Sequence, residues 1–193
     1  MSPDLWIEKD RPNNDPFWEY IEHSTYNHKP VLDYVKRTGL LPEYKSHQFY
    51  PTPQVIVDEM MKYIPNDTVT ILEPSAGTGR LINGVKDYNV TAIDIAPLHC
   101  EILEAKEFTR VFNMDFMQYD TDNKFDLILM NPPFSKGRSK SHVEKARKHL
   151  NDGGVVLAVL PKGSITKDME VLKHFNGVFD NTSIDTYLVR FGK

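Results

Sequence analysis

From Tyr50 onward the chain alternates between two hydrophobic periods. Val69 to Leu72, Val90 to Ile95, Phe125 to Met130 and Val155 to Leu160 are short apolar runs with the length and β-branched content of strands buried on both faces. Between them lie stretches of helical character. Pro53 to Tyr63 carries Val55, Ile56, Met60 and Met61 near helical spacing, and Pro65 ends it. Further helices are expected from about Arg80 and over Ile102 to Phe108, Ser141 to Leu150 and Asp168 to Phe175. Arg110 to Asn113 reads as a weak third strand and Ile184 to Phe191 as the last one. Strands alternating with helices predict a doubly wound, mostly parallel α/β sheet covered on both faces.

Residues 1–48 break that rhythm. Asp10 to Pro16 is polar, Phe17, Trp18, Tyr20 and Tyr26 are aromatic, and Pro30 to Thr38 reads as a short helix stopped at Gly39. The expected division is an N-terminal helical arm over 1–48 and one main domain over 49–193. The ordinary role of such an arm is to cap the main domain or to form a dimer contact, and reading nucleic acid is the alternative. No internal repeat or low-complexity tract is present.

Composition narrows the class. With 40% apolar and 26% charged residues over 193 positions, the chain suits one domain plus an arm. The single cysteine, Cys100, excludes an intrachain disulfide and a Cys-rich zinc site, and no metal centre is expected. The acids and prolines near the N-terminus do not match a signal peptide, and no run approaches the roughly 18 to 20 apolar residues of a membrane helix. A cytoplasmic setting without membrane contact is therefore expected. The net charge of -4 opposes bulk attraction to nucleic acid, so any such contact needs a local basic patch.

Two stretches carry candidate chemistry. The strand Phe125 to Met130 runs into Asn131-Pro132-Pro133-Phe134, where two prolines without backbone donors send the chain out of the sheet in a fixed direction. An amide and an aromatic ring are thereby held at the carboxyl end of a strand, the edge where ligands bind in open α/β sheets. Glu73-Pro74-Ser75-Ala76-Gly77-Thr78-Gly79-Arg80 follows the first strand, and its glycines permit close backbone approach to a ligand. This turn lacks both the third glycine of a dinucleotide fingerprint and the Gly-Lys-Ser/Thr ending of a P-loop. Asp94 ends the second strand and is placed to accept both hydroxyls of a ribose. Asp115 follows the third strand, placed to meet an adenine edge with the Phe116 ring packed near it. Each acid alone is an ordinary solvated strand end; three acids after three successive strands, with a glycine turn after the first, favour a nucleoside pocket.

In order and spacing these pieces resemble the class I S-adenosylmethionine-dependent methyltransferases, specifically the adenine-N6 DNA methyltransferases whose cofactor motifs precede the catalytic one. The resemblance covers residues 50–163. It rests on Phe49-Tyr50-Pro51-Thr52-Pro53, the turn from Glu73 to Gly79, Ala92-Ile93-Asp94-Ile95, Asn113-Met114-Asp115-Phe116, Asn131-Pro132-Pro133-Phe134, and Gly153-Gly154 to Pro161-Lys162-Gly163. It implies a Rossmann-like sheet, S-adenosylmethionine as cofactor, and direct methyl transfer to the N6 of an adenine flipped out of DNA. Tyr50, Pro51 and Thr52 would hold the methionine part of the cofactor, the Glu73 to Gly79 turn would wrap it, and Asp94, Ile95, Asp115 and Phe116 would take its ribose and adenine. Asn131 and the Pro132 carbonyl would accept the hydrogens of the target amine, with Pro133 fixing the turn and Phe134 stacking on the base. No cysteine nucleophile is needed, which leaves Cys100 as a structural or surface thiol.

After Phe134 the chain turns basic. Six Lys or Arg and one acid, Glu144, lie between 135 and 150. A solvated helix face is the usual meaning of such a run; beside a base pocket, Lys136, Arg138 and Lys140 become candidate phosphate contacts, with Gly137 letting the loop close. DNA, single-stranded or duplex, is the expected partner. A separate target-recognition domain, usual in this family, is not seen after Lys162, and only one strand is placed where the fold usually has an antiparallel pair. Specificity would then be low, come from the arm or short loops, or depend on a homodimer or a partner chain. Compact enzymes of this kind suit a bacterial or phage-infected cell and protection of DNA from restriction. RNA bases and a glutamine side-chain amide present the same planar nitrogen, and a catalytically silent binding module is the reading from another class.

Overall fold

Three helices and seven strands are described in the computed structural model, which covers residues 50–179 and 184–192. The arm expected over 1–48 lies outside the described residues. The chain runs through α1 (Gln54–Met61), β1 (Thr70–Glu73), β2 (Asn89–Asp94), α2 (Pro97–Ala105), β3 (Val111–Asn113), β4 (Phe125–Met130) and α3 (Arg138–Lys148). It ends with β5 (Leu150–Pro161), β6 (Glu170–Phe175) and β7 (Thr186–Gly192).

The strands form one sheet in the order β3-β2-β1-β4-β5-β7-β6. All neighbours from β3 to β5 are parallel, while β7 is antiparallel to both β5 and β6. The order reverses between β1 and β4, which opens a crevice at their carboxyl ends. Glu73 closes β1 and Asn131 follows β4, so both candidate stretches reach that crevice.

Side-chain alternation explains why residues 127–130 of β4 and 155–160 of β5 are apolar without interruption. Leu127 and Leu129 of β4, with Leu157 and Val159 of β5, enter one core, which also takes Ile56, Val57 and Met60 from α1. Ile128 and Met130, with Val156, Ala158 and Leu160, enter the opposite core with Val143 and Ala146 of α3. Both faces are thus covered, as the continuous apolar runs required.

Asp126 ties the far end of this arrangement. Its Oδ2 accepts from the Thr70 amide at 2.9 Å, the Thr70 hydroxyl at 2.9 Å and the Val69 amide at 3.1 Å, while Oδ1 accepts from Asn151 Nδ2 at 2.6 Å. One carboxylate links the starts of β1, β4 and β5. The Thr70 amide and the other donors hold its pKa below the ordinary value against the opposing effect of burial.

The structure corrects three expectations. The helix expected from Arg80 is absent: turns lead to a 3-10 segment, Asn83–Val85, and then to β2. Its apolar residues Leu81, Ile82 and Val85 are buried without needing an α-helix to bury them. Asp168 to Phe175 is not a helix, since residues 170–175 form β6. Ile184 to Phe191 is therefore not a lone strand, because β7 completes an antiparallel pair with β6. The pairing shifts register between Val171 and Lys173, so Leu172 is an extra residue that breaks the period-two alternation by which a strand is read. A solvent-facing edge position, with Val171 49% exposed, removes the remaining signal.

Candidate active site at the carboxyl edge of the sheet

The glycine turn is built to bring backbone close to whatever fills the crevice. Gly77 and Gly79 both have left-handed φ angles, +53° and +80°. A Cβ on Gly79 would stand 2.7 Å from Leu103 Cδ2, so a larger residue there would displace that side chain as well as strain the backbone. The Ala76 amide donates to the Ile93 carbonyl at 2.9 Å, which fastens the turn to β2.

Glu73 is buried, and its Oε2 has no hydrogen-bond partner among the described residues. Burial, and next the charge of Asp94, push its carboxyl well above the usual range, with Lys106 opposing. Burial and the Asp94 charge both favour the protonated form of the side chain.

Asp94 behaves differently. Its Oδ2 accepts from the Gly77 amide at 2.8 Å, and its Oδ1 accepts from the Ala96 amide at 2.9 Å and contacts His99 Nδ1 at 2.8 Å. Burial raises its pKa, but the imidazole and the two amides outweigh that and hold it below the ordinary value. Of roughly four acceptor positions on a carboxylate, three are occupied from within the protein. The expectation that Asp94 receives two ribose hydroxyls is corrected to one free position, on Oδ2. Asn113 Nδ2 braces the exit of β2 by donating to the Asp94 and Ile95 carbonyls, each at 3.1 Å, and Ile95 itself is exposed beside them.

Asp115 is half-buried and caps the 3-10 segment Phe116–Gln118 through the Met117 amide at 2.8 Å. The Phe116 ring does not face the pocket. Only 2% exposed, it packs in the second core against Tyr119, His142 and His149, because the turn after Asp115 points it inward. The ring is core, which corrects its expected place near an adenine edge. His142 of α3 lies 3.4 Å from Ser75 Oγ and so joins α3 to the glycine turn.

Asn131 is half-buried, Pro132 buried, and Pro133 and Phe134 half-buried. Asn131 Nδ2 donates to Thr52 Oγ1 at 3.1 Å and to the Tyr50 carbonyl at 3.4 Å. Both amide hydrogens are used, which leaves Oδ1 as the acceptor end of the side chain. The Phe134 ring is fixed edge-on to Phe179, with centroids 6.4 Å apart and planes at 77°.

The basic run divides in two. Lys145 donates to the Met117 carbonyl and covers the Phe116 ring. Arg147 donates to the Gly192 carbonyl, pairs with Asp168 and covers Phe191. These two hold α3 to the fold. Lys136, Arg138 and Lys140 are exposed around the start of α3, whose first turn has no acid. Lys136 and Gly137 are both left-handed, at φ 53° and 72°, which turns the chain sharply into the helix.

Cys100 is buried, its thiol pushed up to about 11 by burial and by Asp94, which keeps it protonated near neutral pH. Sequence reading gave no role to Arg80, His99, Asn113 or Asp126. Asn113 stands beside Asp115 in one of the motifs and His99 contacts Asp94 five residues away, whereas Arg80 and Asp126 act through contacts distant in sequence. Among the described residues no group of three or more His, Cys, Asp or Glu is placed to hold a metal, and no helix is long and apolar enough to cross a membrane.

Comparisons with known proteins identify the family and the fold. The family described as methyltransferase small domain matches residues 76–187. The chain is 31% identical over 128 residues to the type II methyltransferase M.CvrRI of Paramecium bursaria Chlorella virus XZ-6E, an alignment covering 55% of this chain and 33% of that protein. It is 37% identical over 81 residues to a tRNA1(Val) (adenine(37)-N6)-methyltransferase of Flavobacteriaceae bacterium strain 3519-10, covering 36% of this chain and 35% of that protein. The chain thus spans about a third of the length of these curated relatives. Among solved structures, the methyltransferase subunit of a type I restriction-modification system from Streptococcus thermophilus superposes with a TM-score of 0.62 at 19% identity, over 74% of this chain and 44% of that one.

Proposed function

The chain belongs to the methyltransferase small-domain family, and from that premise we propose that it transfers the methyl group of S-adenosylmethionine to the exocyclic N6 of adenine in DNA. The observation that carries the proposal is Asn131, whose amide nitrogen is spent on Thr52 and Tyr50 and whose oxygen is left as an acceptor.

The residues at the crevice fit the cofactor. Glu73 offers an orphaned buried oxygen, Asp94 one open acceptor position, and the glycine turn two residues of left-handed backbone, Gly77 and Gly79. Glu73 would hold the ammonium group, Asp94 a ribose hydroxyl and Asp115 the adenine edge, with Ile95 packed on the purine. When bound, S-adenosylmethionine supplies an electrophilic methyl group on a sulfonium.

The chain's own residues have to make the target amine nucleophilic. The nitrogen lone pair of an adenine amino group is delocalised into the ring. Asn131 Oδ1 and the Pro132 carbonyl accept its two hydrogens, favour a pyramidal nitrogen and release the lone pair for attack. Phe134 stacks on the flipped base, its plane set by Phe179. An amide takes up no proton at neutral pH, so the proton lost after transfer leaves to water. Lys136, Arg138 and Lys140 contact phosphates beside the pocket.

The type II relative supports DNA as substrate, and the tRNA relative supports RNA as the second reading. Incubation with radiolabelled S-adenosylmethionine and, in parallel, duplex DNA, single-stranded DNA and tRNA, followed by nucleoside analysis, separates them. Label in N6-methyladenine from DNA is expected, and label confined to tRNA overturns the DNA reading. Asn131→Ala should abolish transfer while cofactor affinity, measured by calorimetry, is retained; unchanged turnover would remove Asn131 from the mechanism.

A further inference from the structure

Tyr50 and Thr52, implied by resemblance as cofactor contacts, both meet Asn131. The two hydrogens on Asn131 Nδ2 go to Thr52 Oγ1 at 3.1 Å and to the Tyr50 carbonyl at 3.4 Å. A carbonyl only accepts, so Tyr50 decides which end of the amide is nitrogen. That contact lies near the limit for a hydrogen bond, and the shorter one to Thr52 does most of the holding. Thr52 is 5% exposed and β-branched, so its hydroxyl has few alternative directions. Its own carbonyl accepts from Arg80 Nη1 at 3.2 Å, at the end of the glycine turn. Three stretches distant in sequence, 50–53, 73–80 and 131–134, are therefore joined through one threonine.

We propose that Thr52 is a positioning residue for the transfer step: its hydroxyl locks the Asn131 amide with Oδ1 turned toward the substrate amine. The proposal rests on the reading of Asn131 as the acceptor for that amine. Without the Thr52 oxygen the amide can rotate, and a rotated amide offers N–H groups to an amine that needs an acceptor.

Thr52→Val keeps the shape and removes the acceptor, whereas Thr52→Ser keeps the oxygen. In single-turnover assays at saturating S-adenosylmethionine and DNA, Thr52→Val should transfer methyl roughly tenfold more slowly and Thr52→Ser at close to the wild-type rate, the scale of one lost hydrogen bond. An unchanged rate in Thr52→Val, or equal loss in the valine and serine variants, overturns the proposal. So does a deficit confined to subsaturating cofactor, which would make Thr52 a cofactor contact only.

A second readout needs no activity. The side-chain 15N amide resonances of Asn131, assigned by their absence from Asn131→Ala, should shift in Thr52→Val and stay in place in Thr52→Ser. Resonances that do not move in Thr52→Val overturn the proposal even if transfer is slow. If the wild-type protein methylates no polynucleotide, the functional reading fails, and the resonances still decide whether Thr52 holds Asn131.

Discussion

Replacing Glu73 by glutamine should change how the stability of the fold depends on pH. Glu73 ends β1 with 2% of its surface exposed and Oε2 unpaired. Burial and Asp94 push its carboxyl well above the ordinary 4.5. Above that ordinary value the unfolded chain releases a proton that the folded protein still holds. The folded state then binds more protons, so stability falls as pH rises. A full proton of difference gives a slope of about 1.4 kcal/mol per pH unit, which lasts until the pH reaches the raised folded value. Below pH 4.5 both states are protonated and the penalty vanishes. Glutamine has no proton to lose. The difference in unfolding free energy, Glu73→Gln minus wild type, should be flat in acid and then climb in favour of the variant by about 1.4 kcal/mol per unit. Any offset from packing the amide N–H groups does not depend on pH and leaves the slope intact. Urea unfolding of both proteins at several pH values between 4 and 8 measures it. A difference that stays flat over the whole range would refute a neutral buried carboxyl. On the proposed reading, saturating S-adenosylmethionine brings a cation to Glu73, favours its ionised form and flattens the wild-type slope alone.

Two further perturbations test other parts of the structure. Asp126→Asn weakens the tie between β1, β4 and β5 and should cost about 1–2 kcal/mol at neutral pH; because the folded pKa is lowered from 3.8, this advantage of the wild type is full above that value and fades as pH falls through the folded one, which urea unfolding in acid and at pH 7 would reveal. Joint replacement of Lys136, Arg138 and Lys140 by alanine should weaken DNA binding and make the salt dependence shallower, by about 0.9 in log-log slope for each phosphate on duplex DNA that is no longer neutralised, with cofactor affinity retained; equal loss of both affinities would show that the three side chains support the fold rather than the polyanion.

The elements that could be read in the sequence were those whose burial is two-sided or whose spacing is local. Phe125 to Met130 is β4 at both its ends, because Leu127 to Met130 lie between two cores and form a continuous apolar run. The candidate site was legible for a similar reason: Glu73, Asp94 and Asn131 stand at the ends of strands, and in a parallel sheet those ends converge. β6 was not legible, because an exposed edge strand with an extra residue at Leu172 has neither an apolar run nor a regular alternation.

By itself, the sequence determined the doubly wound sheet and the set of groups brought to its carboxyl edge, since both follow from periods and turns written within a few residues. What each group has left to offer depends on its neighbours in the folded chain. Asp94 loses acceptor positions to Gly77, Ala96 and His99, the Phe116 ring turns into a core, Lys145 and Arg147 are drawn onto the fold, and Asn131 is oriented by Thr52 and Tyr50. Hydrogen-bonding capacity is finite, and which partners use it up depends on residues brought together from distant parts of the chain.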